Sequence, residues 1–306
     1  MKSGFVSLVG KPNVGKSTIL NRLVKHKVSI VTPKAQTTRN NIIGIVDSDD
    51  YQIIFTDTPG LHTAHNALGK SMNKQVQNAM KDADILVLIL NGKEEISETY
   101  LAPFLKQNIA LVVLNKIDLL RLPEVEIAKS KIKTLFPKAQ LIEMSAIENF
   151  NLDVLLNEVI ARLPDGPKYY PDTSVIKDDV FYVKEIIREK ILFALKEEVP
   201  HNIAIYLKDI KHKKESVYLI ADIIVNKESQ KGIVIGKNGE RIKLIGSRAR
   251  KDIEELLHKH VFLELFVKVQ NDWRNQNDGH LIIPLLRVVR CSCFITFCVD
   301  AKRRNG

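Results

Sequence analysis

The stretch Gly10-Lys11-Pro12-Asn13-Val14-Gly15-Lys16-Ser17-Thr18 constrains this chain more than any other. It follows an apolar run, Phe5-Val6-Ser7-Leu8-Val9, and precedes a helical pattern through Lys25. It fits G-x-x-x-x-G-K-[ST], and a strand before it with a helix after it is the context in which that pattern wraps a phosphate. The glycines let successive backbone N–H groups and a helix N-terminus converge on an anion. Gly10, Asn13, Val14, Gly15 and Thr18 then line the phosphates, Lys16 reaches the β- and γ-phosphates, and Ser17 offers its hydroxyl to Mg²⁺. The loop announces a nucleotide without saying which one.

From residue 1 to 163, apolar runs at 5–9, 42–47, 51–57, 85–90, 110–115 and 139–144 alternate with amphipathic stretches such as 17–25, 68–82 and 124–135. Strands alternating with helices imply an α/β domain with a mostly parallel sheet. The turn cluster Ser48-Asp49-Asp50 between two strand-like runs predicts one hairpin with an antiparallel edge strand. Leu163-Pro164-Asp165-Gly166-Pro167 then breaks the pattern. The expected organisation is a first domain over 1–163, a linker over 164–175, a second α/β domain over 176–274 and an atypical tail over 275–306. In the second domain we expect a helix at 178–197, strands at 202–209 and 216–226, a Gly-containing turn, two helices at roughly 240–258 and a strand at 261–270.

The net charge of +10 divides as +3 over residues 1–165 and +7 over 166–306, so the second half is the one suited to a polyanion. The opening Met1-Lys2-Ser3-Gly4 runs straight into a strand and leaves no room for a leader, which predicts a cytoplasmic protein. The three cysteines, Cys291, Cys293 and Cys298, crowd into the tail, so no disulfide framework spans the domains, and they read as small apolar residues rather than metal ligands.

A second signal narrows the nucleotide. Asn115-Lys116-Ile117-Asp118 follows the apolar strand Ala110–Leu114. A carboxylate at Asp118 can accept from N1–H and the 2-amino group of guanine, whereas adenine would leave it unpaired. Asn115 would brace the neighbouring loops, the Lys116 stem would cover the base, and Ser145-Ala146 would support it from the other side. Asp57-Thr58-Pro59-Gly60 closes a buried strand, where Asp57 would hold Mg²⁺ through water and Gly60 could turn its N–H to a γ-phosphate. In Gln36-Thr37-Thr38-Arg39 one threonine hydroxyl could complete the Mg²⁺ shell; Thr38 is favoured and Thr37 remains the other choice. Two loops held by γ-phosphate and loosened by its loss make a switch.

In the basic half, Val234-Ile235-Gly236-Lys237-Asn238-Gly239-Glu240-Arg241-Ile242-Lys243 matches the GxxG loop of a KH domain. Its glycines would let a nucleic-acid backbone approach, with Lys237, Arg241 and Lys243 on phosphates and unstacked bases on Ile233, Ile235 and Ile242. The competing reading is a basic protein-contact surface.

Gly10–Ser17, Asp57–Gly60, Asn115–Asp118 and Ser145-Ala146, in this order, resemble the translation-factor-like GTPases. Lys34-Ala35-Gln36-Thr37-Thr38-Arg39 is similar to the corresponding run of the Era family of bacterial ribosome-assembly GTPases. So are Glu185–Lys190, Glu197-Glu198-Val199-Pro200, Arg248–Asp252 and Leu263–Val269 with Trp273. The resemblance covers about residues 4–274. It implies GTP hydrolysis and partners in the 3′ end of 16S rRNA and the 30S subunit; a monomer is expected. It also implies peripheral association with the inner membrane.

Three features depart from related patterns. Leu61 stands where Ras-like proteins carry a water-orienting glutamine, so hydrolysis must use another group, the backbone or an ion. Asn13 resembles the asparagine of potassium-activated relatives, and its alternative role is that of a turn residue. The tail contains the apolar run Leu281–Val299, interrupted by Pro284, Arg287 and Arg290, which makes a poor transmembrane helix. It reads as a divergent terminus or, next, as a membrane-surface contact. The rival function is an RNA-binding scaffold with regulatory or vestigial nucleotide binding.

Overall fold

The computed structural model describes residues 1–25, 27–32, 34, 37–170, 179–195 and 202–275. The first domain runs β1 (Lys2–Val9), α1 (Lys16–Leu23), β2 (Ile42–Asp47), β3 (Tyr51–Asp57), α2 (Ala67–Asp82) and β4 (Ile85–Asn91). It continues through α3 (Glu98–Leu105), β5 (Leu111–Asn115), α4 (Leu122–Leu135), β6 (Gln140–Glu143) and α5 (Leu152–Arg162). The strands form one sheet in the order β2-β3-β1-β4-β5-β6. Only the β2–β3 hairpin pairs antiparallel, and it places β2 at an edge.

The run Ile-Leu-Val-Leu-Ile-Leu of β4 has no polar face because both faces of the sheet are covered. On one side Val6, Leu8, Phe55, Val87 and Val113 pack with α1 and α5. On the other Val9, Leu88, Leu90, Val112 and Leu114 pack with α2, α3 and α4. The carboxyl ends of β1, β3, β4 and β5 therefore open together on one edge, where a doubly covered sheet presents its ligand groups.

Strand β1 begins three residues earlier than its apolar run suggests. Lys2 and Ser3 pair in parallel with Tyr51 and Gln52, and the amide of Ser3 donates to the Pro164 carbonyl at 3.0 Å. The start of the expected linker lies at the amino ends of β1 and β3. The Tyr170 amide donates to Gln52 Oε1 at 2.9 Å, and the Tyr169 ring sits 4.9 Å from that of Phe5. Residues 171–175 lie outside the described residues.

The second domain runs α6 (Asp179–Ala194), β7 (Ile203–His212), β8 (Ser216–Val225), α7 (Glu228–Ile235), α8 (Glu240–Leu257) and β9 (His260–Val269). Strand β8 is central, antiparallel to β7 and parallel to β9. Leu219, Ala221 and Ile223 alternate inward against Ile187, Val234, Ile245, Ala249 and Ile253 of the helices.

One expected arrangement is corrected. The GxxG loop has one helix on each side rather than two after it. Residues 240–257 form a single helix, because Ile245, Ala249 and Ile253 repeat every four residues along one buried stripe. The preceding residues 228–235 are helical even though Gly232 and three β-branched residues weaken their propensity. Gln230 Oε1 accepts from the backbone amides of Asn226 and Lys227, at 2.9 and 3.2 Å, and starts that helix.

The two domains meet through a small apolar cluster. Leu68 and Met72 of α2 pack against Ala204, Ile224 and Trp273, and the Trp273 indole donates to the Asn202 carbonyl at 3.2 Å. No helix among the described residues is long and apolar enough to cross a membrane. Residues 276–306, with the apolar run, the three cysteines and His280, lie outside the described residues, as do Ala35 and Gln36.

Candidate functional site

After β1 the chain turns at Gly10, where an added Cβ would lie 2.4 Å from the carbonyl oxygen of Ile89. Asn13 stands exposed with φ 63°, a left-handed conformation that asparagine tolerates better than most residues. The loop closes at Gly15 (φ +106°), against which the Asn115 amide packs so tightly that a Cβ would sit 2.2 Å from its nitrogen. Helix α1 starts at Lys16 with no side-chain cap, so the first-turn N–H groups of Ser17 and Thr18 remain for an anion. The Lys16 ammonium donates to the carbonyls of Lys11 (2.7 Å) and Gly10 (3.3 Å). Burial, partly offset by Asp57 and Glu94, lowers its pKa to about 8.

Beside this loop four oxygen-bearing side chains converge, those of Ser17, Ser29, Thr38 and Asp57. Ser17 Oγ donates to Asp57 Oδ2 at 2.6 Å and lies 3.0 Å from Thr38 Oγ1. Ser29 donates to the same carboxylate oxygen at 2.8 Å. Asp57 is fully buried. Burial pushes its pKa up, against the opposing pull of Lys16 and the three hydroxyls. Its Oδ1 has no hydrogen-bond partner among the described residues. A buried carboxylate oxygen without a donor is costly, and a hard divalent cation satisfies it. The residues therefore fit Mg²⁺, with Ser17, Thr38 and Asp57 positioned to hold it. Thr37 is engaged within its own loop. Its hydroxyl donates to the Lys34 carbonyl at 2.6 Å and lies 2.7 Å from Thr32 Oγ1.

The segment after β3 lies directly on the phosphate loop. Thr58 is buried and donates to the Leu8 carbonyl at 2.8 Å. Past Pro59, a Cβ on Gly60 would fall 2.3 Å from the Pro12 nitrogen, and the Leu61 amide donates to the Gly10 carbonyl at 3.1 Å. The Leu61 side chain packs on the apolar core, so it cannot orient a water.

The base site assembles at the end of β5. Asn115 is buried, donating to the Val14 carbonyl (2.8 Å) and accepting from the Ala146 amide (3.1 Å), which ties three loops together. Lys116, at φ 64°, reaches back to the Asn13 carbonyl at 2.6 Å. The exposed Asp118 carboxylate is aimed by the buried Ser145 hydroxyl at 2.5 Å. A fixed carboxylate beside a lysine stem suits a ring with two adjacent donors, which is guanine.

In the second domain Gly236 and Gly239 both have φ 75°, and Asn238 between them has φ 51°. At Gly236 a Cβ would lie 2.7 Å from Arg241 Cβ, whereas around Gly239 nothing lies within 4 Å. The Arg241 guanidinium donates to the Ile233 carbonyl across the loop. Lys237, Asn238 and Lys243 are exposed, as is Ile233, while Ile235 is half-buried and Ile242 packs on the core. The loop thus offers glycine backbone and cations to a phosphate chain beside an aliphatic strip.

Two family models match the chain, one described as a 50S ribosome-binding GTPase over residues 5–116 and one as a KH domain over residues 198–274. A solved structure of Aquifex aeolicus Era, a point variant bound to GDP and AlF4⁻, is 36% identical. That match has a TM-score of 0.86 and covers 90% of this chain and 97% of the other. The chain belongs to the Era family. A second Era structure, in complex with MgGDPNP and nucleotides 1506–1542 of 16S ribosomal RNA, also matches at 36% identity and TM-score 0.86. It covers 90% and 96% of the two chains.

Within this Era-family chain, two contributors escaped the sequence reading. Ser29 braces Asp57, and Asn21 holds Ser29. Asn21 Oδ1 accepts from the amides of Val28 and Ser29, at 2.9 and 2.8 Å, and its amide donates to the Ser29 carbonyl at 2.7 Å. A lone serine and a lone asparagine carry no spacing signal, so only the folded loop shows them.

Proposed function

We propose that this protein is a GTP-hydrolysing switch whose KH domain binds the 3′ end of 16S rRNA and assists maturation of the 30S subunit. The observation that carries this reading is the similarity, across nearly the whole of both chains, to an Era that holds MgGDPNP and a 16S rRNA segment together. The convergence of Ser17, Thr38 and Asp57 and the aimed Asp118 support it residue by residue.

Mg²⁺ would supply charge neutralisation at the β- and γ-phosphates. The protein's own groups do the rest. Lys16 and the α1 N–H groups bind the phosphates, Asp118 and Ser145 select guanine, and Gly60 offers its N–H to the γ-phosphate. With Leu61 unable to position water, we infer that K⁺ supports hydrolysis, with the Asn13 side-chain oxygen among its ligands. Comparing rates in KCl and NaCl checks this: faster hydrolysis in KCl is expected, and equal rates remove the ion. The protein is a monomer in the cytoplasm and associates peripherally with the inner membrane, a reading that rests on the family resemblance and the net charge of +10.

A GTP turnover assay with and without an RNA covering the 3′ end of 16S rRNA tests the central reading. Phosphate release and RNA binding are expected. An RNA complex with no phosphate release under any condition would instead indicate a scaffold.

A further inference from the structure

Helix α6 of the RNA-binding domain reaches into the loop that carries Thr38. Arg188, only 3% exposed, donates through Nη2 to the carbonyl of Thr37. Its guanidinium is held from behind by Glu185, 9% exposed, with Nε to Oε1 at 2.9 Å and Nη2 to Oε2 as the second tooth of the fork. A planar fork braced in this way cannot rotate away from the carbonyl it serves.

That carbonyl belongs to the peptide leading into Thr38, whose hydroxyl lies 3.0 Å from Ser17 Oγ, itself 2.6 Å from Asp57. Moving the Thr37 carbonyl therefore moves a metal-facing hydroxyl by one residue's leverage. Other bonds hold the same segment to the second domain. Lys34 donates to the Leu195 carbonyl, and Arg39 donates to the Ile203 carbonyl at 2.6 Å. Lys27, just before the loop, pairs with the buried Glu189 at 2.6 Å. Those three are held by the ends of long side chains, whereas Arg188 grips the loop backbone itself, at the peptide next to Thr38.

We propose that Arg188 is a positioning residue for the Mg²⁺–GTP site: braced by Glu185, it lets the RNA-binding domain set the Thr38 hydroxyl at the metal. The proposal rests on the GTPase reading above and deepens it by naming the residue through which the second domain acts on the first. It separates the two nucleotides, because Thr38 serves the γ-phosphate state and GDP does not need it.

The test uses the full chain, with equilibrium binding of fluorescent GDP and of a fluorescent non-hydrolysable GTP analogue, titrated with Mg²⁺. For Arg188→Ala the Mg²⁺ concentration giving half-maximal GTP-analogue binding should rise about tenfold, as loss of a group orienting a metal ligand does. GDP affinity should stay within about twofold, since RT ln 2 is below the worth of one hydrogen bond. Arg188→Lys should restore part of the loss, keeping the charge without the fork. Hydrogen exchange supplies a second readout. In the unmodified chain the GTP analogue should protect the amides of α6 more than GDP does, and in Arg188→Ala that difference should vanish. If Arg188→Ala does not fold, Glu185→Gln with Arg188→Met removes both buried charges and takes its place. An unchanged Mg²⁺ dependence in a folded variant overturns the proposal. So does an equal loss for both nucleotides, which marks a merely structural role. Failure of the unmodified chain to bind guanine nucleotide overturns the underlying reading instead.

Discussion

At the scale of single residues, the proposed site divides into groups assigned to the nucleotide and groups that aim them. In the proposed reading Asp118 contacts the guanine, and its specificity would follow from the donors it can meet. Asp118→Asn should weaken GTP binding by about 2–3 kcal/mol, roughly 10²-fold, while improving binding of xanthosine triphosphate, whose 2-oxo group accepts from the new amide. Competition binding with both nucleotides reads this directly. Lys16 gives a pH dependence. Its free-state pKa of about 8 is lowered by burial, and phosphates beside it must raise it again. Below about pH 8 the amine is charged with or without nucleotide, and affinity is flat. Above that pH binding takes up a proton, and affinity falls as pH rises. Calorimetry at pH 8.5 in buffers of differing ionisation enthalpy should therefore report net proton uptake, and no uptake would contradict the burial of Lys16. The residues assigned to the nucleotide are legible in the sequence because the backbone geometry of a phosphate loop and the hydrogen-bond edge of guanine admit few residue types. The aiming residues, Ser29, Asn21 and Arg188, are not, since their partners lie 28, 8 and 151 positions away and nothing local marks them.

At the scale of elements, the parallel strands were easy to find because burial on both faces leaves continuous apolar runs. The helix before the GxxG loop was hidden. Glu228-Ser-Gln-Lys-Gly-Ile-Val-Ile has weak helical propensity, and its conformation is set by the Gln230 cap and by burial of Val234. With a helix on each side, the loop stands at a corner between them. Gly236→Ala should distort it, because the new Cβ would lie 2.7 Å from Arg241 Cβ at a backbone angle of φ 75°. RNA affinity should then fall by about tenfold or more while GTP hydrolysis without RNA persists. Lys237→Ala should act differently. It removes one phosphate contact, so it should weaken binding to all single strands alike and reduce the salt slope of log affinity by about 0.7. Filter binding at three salt concentrations separates the two.

At the scale of the molecule, the domains are joined by the apolar cluster around Trp273 and by the polar contacts of residues 27–39 with the second domain. Trp273 is 1% exposed and covers Leu68 and Met72 of α2, the helix that follows Gly60. Trp273→Ala should cost about 3–5 kcal/mol of stability at that contact. It should also loosen the domains relative to each other, seen as an increased radius of gyration in small-angle scattering. The segment of residues 27–39 and the segment past Gly60 thus both lead into contacts that carry the second domain. If GTP and RNA are linked through this interface, each must change the affinity for the other by the same factor. The most direct measurement is the affinity of the chain for an RNA covering the 3′ end of 16S rRNA with Mg²⁺ and GDP, and again with Mg²⁺ and a non-hydrolysable GTP analogue. Binding should be about tenfold tighter with the GTP analogue, within the usual range of such couplings; equal affinities in the two states would refute the coupling.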